Sequence, residues 1–527
     1  MAFSSTTEMI TTSASAVGAT IAHDLFEPLD RALRLYSDKL AVVDGSTRLT
    51  YRQLGVWSAR IAASLLDTGA RDGDRVAVLA ANSAAYLASY FAIPAAGLVF
   101  VPLNNRLQEP ELAAQIRDCE PVVLISDEEN RDLAARLAHS CGTSVLTFAD
   151  LLERQNLDEA DGLRRRPGDS VAAIFYTGGT SGRAKGVMLT HENLATNALH
   201  MIGGLNYEAG DVYLHCSPMF HLGDGMSLYP ITWVGGRHVV IPKFDAEAVV
   251  SAIETERVTC VFVVPTMLTL LVEHLATRSD RPDLSSLRLV VHGGAPIAPS
   301  LLNRALAVLG CSFTQSYGMT EAGPILSFLP KEENLLTAPE LASAGRPVAG
   351  ADVRVVRPDG SECAVGEVGE IVARGPNISI GYWKQPDVTA ERFRDGWYWS
   401  GDLARLDTGG YLYIVGRAGD VIISGGENIY AAEVESALNA HPDVLESAVF
   451  AIPSKRWGES VHAAVVLRPG AATTEDELDL HCRTLIAGYK TPRSYELHPT
   501  LPRTGPGKID KRALREPHWR DMTREVS

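Results

Sequence analysis

The 527-residue chain is short of cysteine, of basic charge and of long unbroken apolar runs, and each shortage excludes something. Its seven cysteines (Cys119, Cys141, Cys216, Cys260, Cys311, Cys363 and Cys482) are scattered, odd in number and never spaced Cys-x-x-Cys. They point to neither a disulfide framework nor a zinc site, and a reducing cytoplasm is the compartment expected. Lys and Arg total 48 against 64 Asp and Glu, a formal charge of −16. That field disfavours nucleic acid or an anionic membrane as partner and leaves any anionic ligand to local donors. The most apolar stretches, 92–103 and 258–272, are too short or are interrupted by Pro94, Pro102 and Pro265, so no integral membrane segment is expected. Residues 1–22 contain no Lys or Arg, hence neither a basic signal-peptide start nor the arginines of a transit peptide, and are read as a flexible N-terminus.

What is present is a large interior. With 46% hydrophobic residues over this length, at least two domains are expected. From Arg75 onward short β-branched runs alternate with helical patterns: 76–79, 99–101 and 122–126 separated by helices near 83–92 and 110–118. The alternation returns with 239–241, 260–264 and 289–292, separated by helices near 245–256, up to 275, and 299–309. Strands separated by helix-length segments mean crossover units and a mostly parallel sheet, here in two doubly wound lobes. Past residue 341 shorter strands, 353–356 and 370–373, predict a small barrel-like portion. After Gly416 to Asp420 about a hundred residues carry their own pattern: helix 431–439, strands 447–452 and 461–467, helix 475–486. The expected architecture is therefore α/β, with an N-terminal domain over 23–419 of two αβα lobes plus a small β-barrel, and a mobile α+β domain over 420–519.

The most informative motif follows the apolar run 171–175. Tyr176, Thr177, Gly178, Gly179, Thr180, Ser181, Gly182, Arg183, Ala184, Lys185 and Gly186 combine glycines, hydroxyls and a lysine. The glycines let main-chain N–H groups approach oxygen atoms, the hydroxyls add donors, and Lys185 adds a full charge, which makes a phosphate cradle. The spacing is not the Walker one, since no Gly-Lys-Ser/Thr falls at the required offset. A second lysine, Lys508, ends the proline- and glycine-rich tail 501–508, where a solvated surface position is the plain alternative.

Residues 177–186, Gln315-Ser316-Tyr317-Gly318-Met319-Thr320-Glu321, Trp399-Ser400-Gly401-Asp402, Gly416-Arg417, Gly425-Gly426-Glu427-Asn428 and the tail 502–508 together resemble, in order, the motifs of the adenylate-forming superfamily of acyl-CoA synthetases, adenylation domains and beetle luciferases. The likeness covers roughly residues 25–515. It implies ATP-dependent formation of an acyl-AMP with release of pyrophosphate, then displacement of AMP by a thiol. On that resemblance, the loop from Thr177 to Lys185 holds the β- and γ-phosphates, Thr320 contacts the α-phosphate and Glu321 helps bind Mg²⁺. Tyr317 stacks on adenine, with Ser316, Gly318 and Met319 beside it in the motif and Gly294, Ala295 and Pro296 opposite. Asp402 accepts from the ribose and Arg417 supports it. Lys508 is the catalytic lysine, Asp420 the hinge, and Ser424, Gly425 and Gly426 flank a pantetheine tunnel for coenzyme A. His221, Gly223, Asp224, Ser227, Gly293 and Ser316 would line the acyl pocket.

The chain departs from the family pattern at Gly178 (usually serine), Ser181 (threonine), Ala184 and Ala431 (proline) and Gly419 (commonly charged), none of which removes a required functional group. Asp224 has two readings, a satisfied structural carboxylate or a group facing an amino or hydroxyl substituent of an aromatic acid. The expected activity is a fatty- or aryl-acid CoA ligase using ATP, Mg²⁺ and coenzyme A; the resemblance leaves a homodimer open. A stand-alone adenylating enzyme serving a carrier protein or amine, or activating an oxyacid such as nitrite, is the alternative. A catalytically silent nucleotide-binding regulator is disfavoured, because Lys185, Glu321, Asp402 and Lys508 are all retained.

Overall fold

Strand runs such as Arg75–Leu79 (Arg-Val-Ala-Val-Leu) are apolar on both faces, which suits only a sheet covered by helices on both sides. The computed structural model describes residues 23–154, 158, 162–177, 184–295, 297, 299–329, 343–503 and 508–520. Residues 1–22 and the phosphate-loop residues Gly178, Gly179, Thr180, Ser181 and Gly182 lie outside the described residues, as does Pro296. The first sheet has seven strands in the order Gly381–Tyr382, Lys185–Thr190, Val171–Thr177, Val99–Pro102, Arg75–Leu79, Val123–Ser126 and Ser144–Thr147. Its last five strands run parallel, joined by helices such as Ala84–Ala95 and Glu109–Cys119. Val171–Thr177 then folds back on Lys185–Thr190 as an antiparallel pair with Thr177 opposite Lys185.

The second sheet has nine strands and draws on both ends of the large unit. Its centre is Ser312–Gly318, Leu289–Gly293, Cys260–Val263, Val212–His215 and Arg237–Val240, all parallel. The hairpin Leu40–Asp44 and Thr47–Thr50 completes one edge, which the alternation starting at Arg75 does not reveal. Helix Ala84–Ala95 is buried along its whole length, because it lies between the lobes: Ser83 caps it by accepting from Tyr86 N, and Asp44 Oδ2 accepts from Ala84 N at 2.9 Å. Asn82, one residue ahead of that cap, donates to Ser217 O and accepts from Met219 N, both at 2.8 Å, and so ties the first lobe to the loop that leads into His221.

The small β portion expected after residue 341 is an antiparallel sheet of Asp352–Val356, Gly369–Arg374, Trp397–Leu406 and Phe393–Arg394, with Leu412–Arg417 also paired to Trp397–Leu406. Strand Val421–Ser424 opens a fourth sheet with Glu427–Tyr430, Gly458–Leu467, Val444–Ser454 and Ser494–Leu497. Helices Ala431–Asn439 and Glu475–Leu485 cover it, and its core of Ile422, Ile429, Val434, Leu438, Val449, Val461 and Leu478 is drawn from this segment alone.

One polar knot fixes the second sheet. Asp211, 2% exposed, accepts from Arg288 Nε at 2.7 Å, Thr259 Oγ1 at 2.8 Å and Glu208 N at 2.9 Å. Burial pushes its pKa up, but Arg288 and these donors more than offset that, so the net shift is downward. The contribution to stability is therefore complete above the ordinary Asp range and is lost as pH falls through the depressed folded value. Asp211→Ala, which strands Arg288, is expected to cost about 3 kcal/mol, measured as a lower urea midpoint at pH 7, with the gap to wild type narrowing on acidification.

Candidate active site

The ends of three sheets meet at one cleft. Register places Lys185 at the mouth of the first-sheet hairpin, where its Nζ lies 5.2 Å from the centroid of the Tyr382 ring. Tyr382 Oη donates to Glu321 Oε1 at 2.8 Å, which fixes one oxygen of that carboxylate. Glu321 sits in a single 3-10 turn, Thr320–Ala322, held from below: its carbonyl accepts from Ser379 N at 2.8 Å, and Asn377 Nδ2 donates to Ala322 O at 2.9 Å. Met319 packs with Ala322, Leu326 and Ala373 under this turn. Gly318 is required there, since a Cβ would lie 1.9 Å from Pro324 O.

Asp402 forms the second anchor. Its Oδ2 accepts from Tyr317 Oη at 2.8 Å and its Oδ1 accepts from Arg417 Nε at 3.0 Å, while Asp402 and Arg417 face each other in the ladder of Trp397–Leu406 and Leu412–Arg417. Burial and the adjacent carboxylate push the Tyr317 hydroxyl well above its ordinary pKa, so it stays a donor. Lys508 arrives from the C-terminal unit, close enough to Arg417, Asp402 and Glu321 to feel all three charges. Its side chain is solvent-exposed, yet the surrounding protein removes part of its hydration. That desolvation first, and Arg417 second, lower its pKa, while Asp402 and Glu321 pull it back.

The expected acyl pocket separates into a wall and a buried support. Gly293 lies opposite Ser316 in the parallel ladder, and a Cβ there would meet Ser316 O at 2.6 Å. Gly294 takes φ +78°, and Ala295 follows it on the surface. The Phe262 ring stands 3.0 Å from the Cβ position of Gly223 and 3.5 Å from that of Gly293. It therefore fills room that the two glycines vacate, and nothing in the apolar run 260–264 marks it out. His221 packs edge-on to Phe220 with ring centroids 4.6 Å apart, and its buried Nε2 has no hydrogen-bond partner. Burial, then the charges of Arg106 and Lys508, push His221 down to about 4. Asp224 and Ser227 lie behind this wall, both 1% exposed. Asp224 Oδ1 accepts from Tyr213 Oη at 3.0 Å and lies 3.4 Å from His215 Nδ1; His215 Nε2 and His238 Nδ1 are hydrogen-bonded to each other at 3.0 Å, and His238 Nε2 pairs with Thr232 Oγ1 at 3.0 Å. Burial raises the Asp224 pKa.

Asp420 lies in the turn Ala418–Asp420 between the third sheet and the fourth. Beyond it, Ser424 and Glu427 close a two-residue hairpin in which Gly425 and Gly426 have φ of +63° and +87°, values that favour glycine at both. Gly425 N donates to Trp457 O at 2.9 Å, and the Trp457 ring is flanked by Arg456 and Arg493 at 4.6 and 4.8 Å. These three residues, like Tyr382 and Phe262, are not marked by any motif in the sequence.

A family model described as AMP-binding enzyme matches residues 29–383, and one described as AMP-binding enzyme C-terminal domain matches residues 433–508. The chain belongs to the AMP-binding enzyme family. It is 44% identical over 492 residues to a feruloyl-CoA synthase of an Amycolatopsis species, covering 93% of this chain and 97% of the relative. The fold is similar to ATP-bound MatB from Rhodopseudomonas palustris, with TM-score 0.86 and 33% identity over 94% of this chain and 98% of the other. It is also similar to o-succinylbenzoate CoA synthetase from Bacillus subtilis in complex with its acyl-adenylate, with TM-score 0.83 and 30% identity over 93% and 97% of the two chains.

The depressed His221 value has a kinetic consequence. A ring that is neutral above about pH 4 contributes no ionisation near neutrality, so His221→Gln is expected to leave the shape of the kcat/KM profile between about pH 6 and 9 unchanged, whatever happens to its height. An acidic limb near the ordinary histidine value that disappears in the variant would contradict this assignment.

Proposed function

We propose that this enzyme converts an aromatic acid with a short spacer between ring and carboxyl into its CoA thioester, by way of an acyl-adenylate. The chain is an AMP-forming acid–thiol ligase. The narrower choice of an aromatic acid rests on the extent of likeness to feruloyl-CoA synthase and on the Phe262 ring, which reaches both Gly223 and Gly293 and gives that side a rigid apolar wall. A wall of that kind suits a ring better than a long flexible chain.

The observation that carries the catalytic reading is the arrival of Lys508 beside Asp402, Arg417 and Glu321. A carboxylate and a triphosphate repel one another, so their reaction needs positive charge where the in-line transition state gathers it. In our reading Lys508 supplies that charge to the attacking carboxylate and the α-phosphate, Thr320 adds a hydroxyl, and Lys185 with the loop from Thr177 holds the outer phosphates. Glu321 is a hard oxygen donor with one oxygen fixed by Tyr382, which fits Mg²⁺ held by one carboxylate and substrate phosphates. Such an ion, when bound, neutralises phosphate charge. Asp402 keeps two lone pairs on each oxygen, enough to accept from a ribose while serving Tyr317 and Arg417. Domains of 23–419 and 420–519 turning at Asp420 would withdraw Lys508 and bring the Ser424 to Gly426 hairpin to the thiol. Trp457 with Arg456 and Arg493 then adjoins the entry of coenzyme A.

A unit charge at about 4 Å and an effective dielectric near 20 is worth about 4 kcal/mol, or about a thousandfold in rate. Lys508→Ala is accordingly expected to slow acid-dependent pyrophosphate release about a thousandfold while largely sparing thioester formation from supplied acyl-AMP. Equal loss of both half-reactions would refute the alternating arrangement. The substrate reading is checked by a panel of hydroxycinnamic, benzoic and medium- and long-chain fatty acids, followed by pyrophosphate release and CoA thioester formation. Hydroxycinnamates are expected to lead in kcat/KM. Preference for a fatty acid would overturn the aromatic choice, and pyrophosphate release without any CoA thioester would point to a carrier protein or amine as acceptor.

A further inference from the structure

The C-terminal unit carries a cluster that the ligase chemistry does not use. His462 lies on strand Gly458–Leu467, Glu496 on the parallel neighbour Ser494–Leu497, and His518 in the turn Glu516–Trp519 near the end of the described chain. One ligand atom from each lies within 4.8 Å of the other two. Nε2 of His462 and Nε2 of His518 both stand 3.8 Å from Glu496 Oε1. His498 approaches from the other side, with Nε2 3.2 Å from Glu496 Oε2. The rings of His462 and His518 lie 5.0 Å apart, and Phe450 backs both.

His462 turns this from a surface cluster into a built site. Its side chain is 3% exposed, Nδ1 pairs with Ser494 Oγ at 2.7 Å, and the buried Nε2 has no hydrogen-bond partner. A proton on Nδ1 given to Ser494 leaves the Nε2 lone pair directed at Glu496, the tautomer and outer hydrogen bond by which metal-binding histidines are oriented. Ligand atoms around a tetrahedral zinc lie about 3.3 Å apart, given bonds near 2.0 Å, so the 3.8 Å gaps to Glu496 close with small side-chain shifts, and the two histidines, within 4.8 Å of each other, close by rotation of the partly exposed His518.

We propose that His462, Glu496 and His518 bind one divalent transition-metal ion of the zinc class, with His498 positioned to complete or orient the carboxylate. Two imidazoles and a carboxylate suit zinc or cobalt better than the all-oxygen preference of magnesium, so this site differs in kind from the one at Glu321. The ion would join three segments distant in sequence. The last of them directly follows helix Lys511–Arg515, which lies just after Lys508 in the chain, so the metal would pin the run carrying that lysine to the fourth sheet. The cysteine pattern, which argues against zinc, is silent about a histidine and carboxylate set assembled this way.

The test uses full-length, tag-free protein stripped with a chelator and dialysed, then titrated with Co²⁺ and Zn²⁺. The expected result is one equivalent of Co²⁺ bound with the strong visible absorption of a four-coordinate site, its displacement by Zn²⁺, and a higher thermal midpoint with Zn²⁺ than without. In the double variant His518→Ala, Glu496→Gln, whose altered side chains are both partly exposed, affinity should fall at least tenfold and the Zn²⁺-induced midpoint shift should vanish, with the metal-free midpoint unchanged. Failure of the wild type to bind stoichiometrically, or equal binding by wild type and double variant, overturns the proposal.

Discussion

Asp402 is nearly buried, and a carboxylate in that position needs partners on both oxygens because it has lost its water. It finds them in Tyr317, from strand Ser312–Gly318 of the nine-stranded sheet, and Arg417, from the strand that runs into the Ala418–Asp420 turn. One side chain therefore fixes Tyr317, the third sheet and the entry to the C-terminal unit relative to each other. Lys508 and Arg417 are like charges brought near one another, and Asp402 with Glu321 makes that approach tolerable. The geometry of the cleft follows from satisfying this carboxylate more than from any single strand.

A second constraint is the joint between the lobes. Helix Ala84–Ala95 has no polar face because sheets lie on both sides of it, and Tyr86, Tyr90 and Phe91 interlock there with Phe100 and Tyr229. Asn82 at its entrance binds the 217–219 segment on both its amide groups. The loop preceding His221 is thus held by the opposite lobe, and pocket shape depends on contacts between sheets rather than within one.

The parallel strands and their helices were legible because β-branched runs buried on both faces alternate with helix-length segments; helix Ala431–Asn439 falls where its pattern predicts. The hairpin Leu40–Asp44 with Thr47–Thr50 was not, since its placement at the far edge of the second sheet depends on pairing with residues two hundred positions away. Tyr317, Arg417 and Lys508 come together around Asp402 and Glu321, but Tyr382 and Phe262 carry no local signal. Tyr382 acts through the short strand Gly381–Tyr382 that pairs with Lys185–Thr190, and Phe262 through the glycines opposite it. Both roles are products of tertiary packing, invisible to spacing along the chain. The glycine- and hydroxyl-rich loop after Thr177 is the reverse case: its composition is clear, while most of its glycines and hydroxyls lie outside the described residues.

The string running from Tyr213 and Asp224 through His215 and His238 to Thr232 lies wholly in the interior, joined by hydrogen bonds except between Asp224 and His215, which approach to 3.4 Å. Burial holds His238 well below its normal pKa and raises Asp224, so the string is tuned as a unit and tolerates little change at any single link. This side of the second sheet is therefore asymmetric: the rings of Phe262 and His221 meet their neighbours by packing alone and can be exchanged singly, whereas the string behind them can be replaced only as a whole.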